Sequence, residues 1–257
     1  MTDISKHAFL KAIVDNSNIS KDALKELAKN YEETGTFRTT KNARLPPAEF
    51  YHFWVRSYTW ALLSALERMS EAQFYLQNLP RGAAFSKKGI TEDKWIEYHY
   101  CNHLVILYGI YDTSLILTNF VFRLGLKEKD CKESTIQMNA WVRNTPVKAA
   151  LDGVSKVVEP HRDARNLYVH RGEIPIIEGI DDLKVFSLGV QFGKFADDPK
   201  LLKALRKDYV EQSKYVVKDM NTRLDAATAA VEKLFDALLP VYEQQIRIFS
   251  ITSKAKT

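Results

Sequence analysis

Residues 165–172 read Arg-Asn-Leu-Tyr-Val-His-Arg-Gly and join a fixed cation, a polar amide and a titratable imidazole in one short stretch. A guanidinium stays charged and binds phosphate through two parallel hydrogen bonds, whereas an imidazole gives or takes a proton near neutral pH. Three arginines and two histidines lie between residues 161 and 172 against a single acid, Asp163, which concentrates positive potential there. The stretch predicts a phosphate-handling site on a helix; the alternative is a solvated helix face.

The segments around this stretch predict a helical protein. The chain has 257 residues, 46% of them hydrophobic and 27% charged, with ten glycines and eight prolines, which suits one large domain. Apolar residues at three- and four-residue spacing predict long helices over 48–78, 92–125 and 200–249. Another helix is predicted over 147–171, where Gly172 ends it. We therefore predict an all-α fold, a four- to five-helix up-and-down bundle over residues 46–250.

Three further segments complete the predicted organisation. Residues 1–45 are predicted to form an N-terminal helical extension of two short helices followed by a polar connector. Residues 173–199 carry short apolar runs between glycines and predict a loop or small hairpin inserted before the last long helix. Residues 251–257 form a basic tail. Pro240 is expected to kink or divide the last helix.

Cysteine usage and hydropathy predict a cytoplasmic protein without a membrane partner. Cys101 and Cys131 lack metal-ligand spacing and suit free thiols in a reducing compartment. The N-terminus lacks the pattern of a secretory signal. Residues 104–126 are strongly apolar, but Asp112 and Asn119 interrupt them, so a buried central helix is favoured over a membrane span. The net charge of +5 permits nucleic-acid binding without requiring it.

The spacing of the motif side chains poses a geometric problem. On an α-helix Asn166 and His170 share a face, but Arg165 and His170 are five residues apart and roughly 140° apart around the axis. The two meet if the helix unwinds near Gly172, if the arginine side chain bends round, or if a second copy of the chain completes the site across a two-fold axis. Asp112, a lone carboxylate among apolar residues, is a candidate support for Arg165 or His170; the alternative is a structural aspartate that reaches solvent or a tyrosine.

The pattern Arg-polar-x-x-x-His within an all-helical sequence resembles the R-x4-6-H signature of the HEPN superfamily. Arg165, Asn166 and His170 match that signature, and the likeness covers about residues 46–250. HEPN domains are typically four- or five-helix bundles that dimerise through the motif region. Many are metal-independent endoribonucleases that act as toxins, antiviral effectors or RNA-processing enzymes.

The resemblance implies an endoribonuclease that needs no metal or other cofactor and leaves 2′,3′-cyclic phosphate and 5′-hydroxyl ends. In that case Arg165 would hold the scissile phosphate, and His170 would act as general base or acid. Asn166 would orient His170 or the phosphate. Arg162 and Arg171 are candidates for flanking RNA phosphates.

Further expectations concern the partners. Tyr168 either stacks an RNA base or packs inside the fold. The resemblance implies a homodimer through the motif region, with RNA as substrate and a role in prokaryotic defence or a toxin system beside an antitoxin or defence partner. One HEPN branch places a tyrosine two residues beyond the histidine, where an antitoxin modifies it; this chain has Gly172 there, so that mode of control is not expected.

Two other classes of function compete with the nuclease. One is a non-catalytic HEPN module that binds nucleotides or proteins, in which Arg165 and Asp112 form an internal ion pair. The other is a helical scaffold that contains the motif by chance. The sequence has no P-loop, zinc cluster, dinucleotide-binding glycine motif or G-x-S-x-G elbow, which disfavours the enzymes built on those sites.

Overall fold

The structure, a computed structural model, describes residues 4–34, 46–79, 83–191 and 198–254. Every regular element in these ranges is a helix, so the all-α prediction is confirmed. The α-helices in chain order are α1 (Ala8–Asp15), α2 (Lys21–Thr34), α3 (Pro47–Gln77), α4 (Ala83–Lys87), α5 (Glu92–Phe122), α6 (Glu133–Gln137), α7 (Pro146–Val158), α8 (Arg162–Asn166), α9 (Ile180–Gln191) and α10 (Pro199–Lys254).

The first of two compact units comprises residues 1–64, 110–155 and 228–257. Its core includes the fully buried rings of Phe9, Phe235 and Tyr242. The Phe9 ring stacks on Phe235 with centroids 5.1 Å apart and meets Tyr242 edge-on at 5.7 Å. Helix α1, in the predicted N-terminal extension, therefore shares its core with α10. The predicted connector, residues 36–44, lies outside the described residues.

The second unit comprises residues 65–109 and 156–227. Its buried apolar cluster draws on α3, α5, α9 and α10 and includes Leu76, Ile96, Ile177, Ile180, Val217 and Met220. This unit contains the Arg-Asn-x-x-x-His stretch and also Tyr108 of α5, whose ring contacts Arg165. It is therefore the unit that positions the candidate site.

Residues 173–199 were predicted to form a loop or a small hairpin. Residues 173–179 form a loop, but the hairpin is wrong, because the helix α9 occupies Ile180–Gln191. Asp181, in the first turn, accepts a hydrogen bond from the backbone N–H of Ile177 at 2.8 Å and so fixes the chain that leads into the helix. Ile177 and Ile180 are buried in the apolar cluster. This contact and tertiary burial together outweigh the weak strand pattern. Residues 192–197 lie outside the described part.

The long helices agree with their predicted positions. Helix α10 runs without division through Pro240 and reaches Lys254, which includes the start of the predicted tail. The predicted helix over 147–171 is helical throughout but changes type along its length. A short 3-10 turn, Glu159–His161, lies between α7 and α8. This irregularity comes just before the motif.

Helix α5 is the one helix in the described part of the chain that has the length and composition to cross a membrane. Of its most apolar window, 56% is buried inside the fold. Asn119, one of its polar residues, is buried, and its side-chain amide exchanges two hydrogen bonds with the backbone of Leu126. These contacts fit the predicted buried central helix.

A buried histidine in α5 predicts pH-dependent stability. Burial in the core, and next the guanidinium of Arg223, lower the pKa of His103 from 6.5 to about 3. The unfolded chain therefore binds more protons between these values, and the free energy of unfolding falls as the pH drops through 6.5. We expect the titration of His103 alone to lower the free energy of unfolding by about 2 kcal/mol when the pH falls from 7 to 5.

The matched variant for this prediction is His103→Gln, which cannot titrate. Urea unfolding at pH 7 and pH 5 should show a pH-dependent loss of stability in the wild type that is about 2 kcal/mol smaller in the variant. Burial also lowers the pKa of His52, His99 and His161, so part of the pH dependence should persist. An equal pH dependence in both proteins would contradict the prediction.

Candidate functional site

The motif occupies an irregular helical end in the second unit. Helix α8 leads directly into a π-helical turn, Leu167–Arg171, which ends at Gly172 with φ of 68°. The N–H groups of Gly172 and Glu173 both bond to the carbonyl of Leu167, and Gly172 also bonds to that of Tyr168. In a π-helix each N–H bonds to the carbonyl five residues earlier, so residues five apart become neighbours along the axis.

This widened turn brings the two motif ends together within one chain. Arg165 Nη1 lies 3.3 Å from His170 Nε2 and donates to Asn166 Oδ1 at 2.9 Å. For the first contact to be a hydrogen bond, His170 Nε2 must accept, which requires the tautomer with its proton on Nδ1. The approach therefore occurs within one chain and accompanies the irregular turn before Gly172, as the first of the three routes required.

An aromatic ring packs against one face of the Arg165 guanidinium. Its central carbon lies 4.7 Å from the ring centroid of Tyr108 on α5, a cation–π contact. Arg165 is half-buried, and its Nε atom is buried without a hydrogen-bond partner among the described residues. His170 is exposed. The pair therefore combines a fixed cation with an imidazole that solvent or a ligand can reach.

Residues 54–239, more than half of the chain, match the family described as Cthe2314-like HEPN. The chain belongs to the HEPN family. The matched residues include all of α5 and the whole segment from α7 to Gly172, so the HEPN match covers both Tyr108 and the motif. Comparison with curated proteins and with solved structures returned no match.

The other predicted residues of this HEPN domain differ in their contacts. Asn166 contacts Arg165, so the contact seen is with the cation and not with His170. Arg162 is exposed and forms an ion pair with Glu159 at 2.9 Å. Arg171, the last residue of the π-helical turn, is exposed. Both arginines therefore lie where solvent can reach them, and their RNA contacts stay predictions.

Tyr168 and Asp112 have different surroundings. Tyr168 is half-buried, and burial, followed by the neighbouring groups Cys101 and Tyr98, raises the pKa of its hydroxyl. Asp112 is exposed on the part of α5 that belongs to the first unit. Its predicted support of Arg165 or His170 stays a prediction.

Sequence reasoning missed Tyr108, which supports Arg165. Nothing in the local pattern marks this tyrosine, because it lies far from the motif in sequence and resembles the other aromatic residues of α5. The π-helical turn was also missed as such. Its one signal is the five-residue spacing between Arg165 and His170, combined with the glycine that ends the helix.

The left-handed conformation of Gly172 predicts an asymmetric response to alanine. An added Cβ would meet nothing within 4 Å at either Gly172 or Gly153, so neither substitution creates a clash. At Gly172 the positive φ makes alanine cost roughly 1–2 kcal/mol. At Gly153, inside α7, alanine is expected to stabilise by about 0.5–1 kcal/mol. In urea unfolding, Gly172→Ala should lower the free energy of unfolding and Gly153→Ala should raise it. Changes of the same sign would refute this explanation.

Proposed function

We propose that this HEPN domain is an endoribonuclease with its site at Arg165 and His170. The observation that carries the proposal is the 3.3 Å approach of Arg165 Nη1 to His170 Nε2 on the π-helical turn. π-helical turns are found frequently at functional sites. An internal structural pair would be buried and satisfied on both sides, whereas His170 is exposed and Arg165 keeps a buried donor without a described partner.

In the proposed reaction the 2′-hydroxyl oxygen of RNA attacks the adjacent phosphorus, and the bond from phosphorus to the 5′ oxygen breaks. The products are a 2′,3′-cyclic phosphate and a 5′-hydroxyl. The attacking hydroxyl loses a proton and the leaving oxygen gains one, and His170 performs one of these transfers. Arg165 stabilises the charge on the non-bridging oxygens, and Asn166 holds Arg165 in place. No metal ion takes part in this proposed step.

A second copy of the chain is the proposed source of the other proton transfer. The base must start neutral and the acid must start protonated, and a single imidazole cannot be both when the step begins. Apolar side chains beside the motif support such a partner: Val169 and Ile174 are exposed, and Ile176 is 86% exposed. Apolar side chains that cluster at a surface mark protein contacts, and these three lie within a stretch of eight residues. The proposal therefore includes a homodimer through the motif region.

Substitution of Ile176 tests the dimer. Ile176→Asp places a charge in the proposed apolar contact, so we expect a shift from dimer to monomer in light scattering and a lower cleavage rate. Val185→Asp, at a 72% exposed position on α9 in the same unit, is the matched control and should leave both unchanged. A dimer that survives Ile176→Asp with full activity would place the contact elsewhere.

Cleavage in the absence of free metal tests the nuclease itself. Wild-type protein is incubated with single-stranded and structured RNAs in EDTA, and the product ends are identified by mass spectrometry. We expect 2′,3′-cyclic phosphate and 5′-hydroxyl ends. A wild-type protein that is inert on the whole panel would overturn the proposal in favour of a nucleotide- or protein-binding module. A cytoplasmic role in defence or a toxin system, with an antitoxin or defence partner, belongs to the same proposal.

A further inference from the structure

A group of packed aromatic side chains lies in the same unit as the motif. Phe74 and Tyr75 come from α3, and Trp95, Tyr98 and His99 come from α5; we call these five the aromatic surface. Phe74 is 62% exposed, Tyr98 60% and Tyr75 43%. The Phe74 ring meets Tyr75 edge-on with centroids 6.0 Å apart, which links Phe74 to the other rings. Large aromatic side chains bury well, so several exposed ones in contact indicate a binding surface.

The aromatic surface is organised around one histidine. The Tyr75 ring stacks on His99 with centroids 5.0 Å apart, Trp95 meets His99 at 4.5 Å, and Tyr98 meets it edge-on at 5.1 Å. Trp95 Nε1 also donates to the backbone carbonyl of Tyr75 at 2.9 Å. The rings are therefore held in place before any ligand binds, which lowers the entropy cost of binding.

The aromatic surface itself is uncharged. Burial lowers the pKa of His99, so its ring is neutral at pH 7 and fits among the aromatic rings. Glu97 is buried and paired with Lys184. One exposed cation, Lys94, and one exposed acid, Glu71, each lie one helical turn from an exposed ring. The rings can therefore stack a base, and the cation that binds the backbone is the Arg165 guanidinium of the motif.

Helix α5 connects the aromatic surface to the motif. It carries Trp95, Tyr98 and His99 and, ten residues or about 15 Å further along its axis than Tyr98, the Tyr108 ring that contacts the guanidinium of Arg165. A single strand of a few nucleotides is long enough to reach from the aromatic surface to the motif.

We propose that the aromatic surface stacks the bases of single-stranded RNA whose backbone is bound at the motif. Base stacking on aromatic side chains tolerates any sequence and requires unpaired bases, so the substrate class is single-stranded RNA or an unpaired loop. This inference rests on the proposed ribonuclease function, since it assigns the substrate of that site. A protein ligand for the same rings is the competing occupant.

Binding measurements on a protein that cannot cleave test the inference. In a His170→Ala background, fluorescence anisotropy compares a short single-stranded RNA with an abasic strand of the same length and charge. Tyr98→Ala and Phe74→Ala should each weaken RNA binding about tenfold or more and leave the weaker binding of the abasic strand nearly unchanged. Tyr98→Phe keeps the ring and should keep the affinity. Tyr215→Ala, at another exposed tyrosine of this unit, is the matched control.

The outcomes separate this inference from the proposed function. RNA affinities that are equal for Tyr98→Ala and Tyr215→Ala, equal losses on the abasic strand, or no RNA binding at all would overturn the stacking role. Protein binding would then be the remaining explanation of the exposed rings. If RNA binding depends on Tyr98 while the otherwise wild-type protein cleaves no RNA, the stacking surface stands and the nuclease fails. If the wild type forms cyclic-phosphate products while Tyr98→Ala binds RNA as tightly as its parent, the nuclease stands and the stacking surface fails.

Discussion

His170→Ala is expected to lower the rate of RNA cleavage about 10³-fold, because a positioned acid or base typically contributes roughly 10²–10⁴. Arg165→Ala should lower it about 10²–10³-fold through lost stabilisation of the phosphate charge. Arg165→Lys should recover little, since an ammonium lacks the planar fork that pairs with phosphate and stacks on Tyr108. Single-turnover rates with saturating enzyme measure all three effects on the chemical step.

The control for these variants is Arg247→Ala, at an exposed arginine of α10 in the other unit. Its cleavage rate should equal that of the wild type. Because the proposed Arg165 and His170 roles act on one transition state, the double variant should lose little more than the slower single variant. Wild-type rates in either single variant, with the same product ends, would show that the cleavage does not arise at this pair.

Phe9→Ala is expected to lower the free energy of unfolding by about 3–5 kcal/mol, the usual cost of removing a fully buried phenylalanine. The cost is large because Phe9 contacts two other fully buried rings, Phe235 and Tyr242. Urea unfolding followed by circular dichroism measures it. The result bears on whether α1 is an integral part of the first unit.

Val14→Ala is the matched control, since Val14 lies in the same helix but is exposed. Alanine is also the better helix former, so we expect a change of less than about 0.5 kcal/mol. A separate early unfolding step of α1 in the wild type, with little effect of Phe9→Ala on the main transition, would contradict the integral role. It would restore the interpretation of residues 1–45 as an independent extension.

Much of the secondary structure was predictable because long helices repeat one local pattern many times. The bounds of α3 and α5 follow from apolar spacing and from Gly and Pro near the ends. Helix α9 was not predictable in this way, since its short apolar runs resemble a strand and its stability depends on burial of Ile177 and Ile180 by distant residues. Periodicity is weak where a segment is short and its partners are far away in sequence.

The candidate site, too, was predictable only in part. The sequence by itself determined the all-helical class, the HEPN resemblance and the three motif residues, because residue type and local spacing carry them. Only the tertiary structure decided how Arg165 reaches His170 and which ring of α5 supports the guanidinium. It also decided that the rings of Phe74, Tyr75, His99 and Tyr98 contact one another in series. The helical turn is non-ideal, and its one local signal, the five-residue spacing before Gly172, was compatible with several geometries. The ring contacts join residues far apart in the chain, for which local spacing contains no signal.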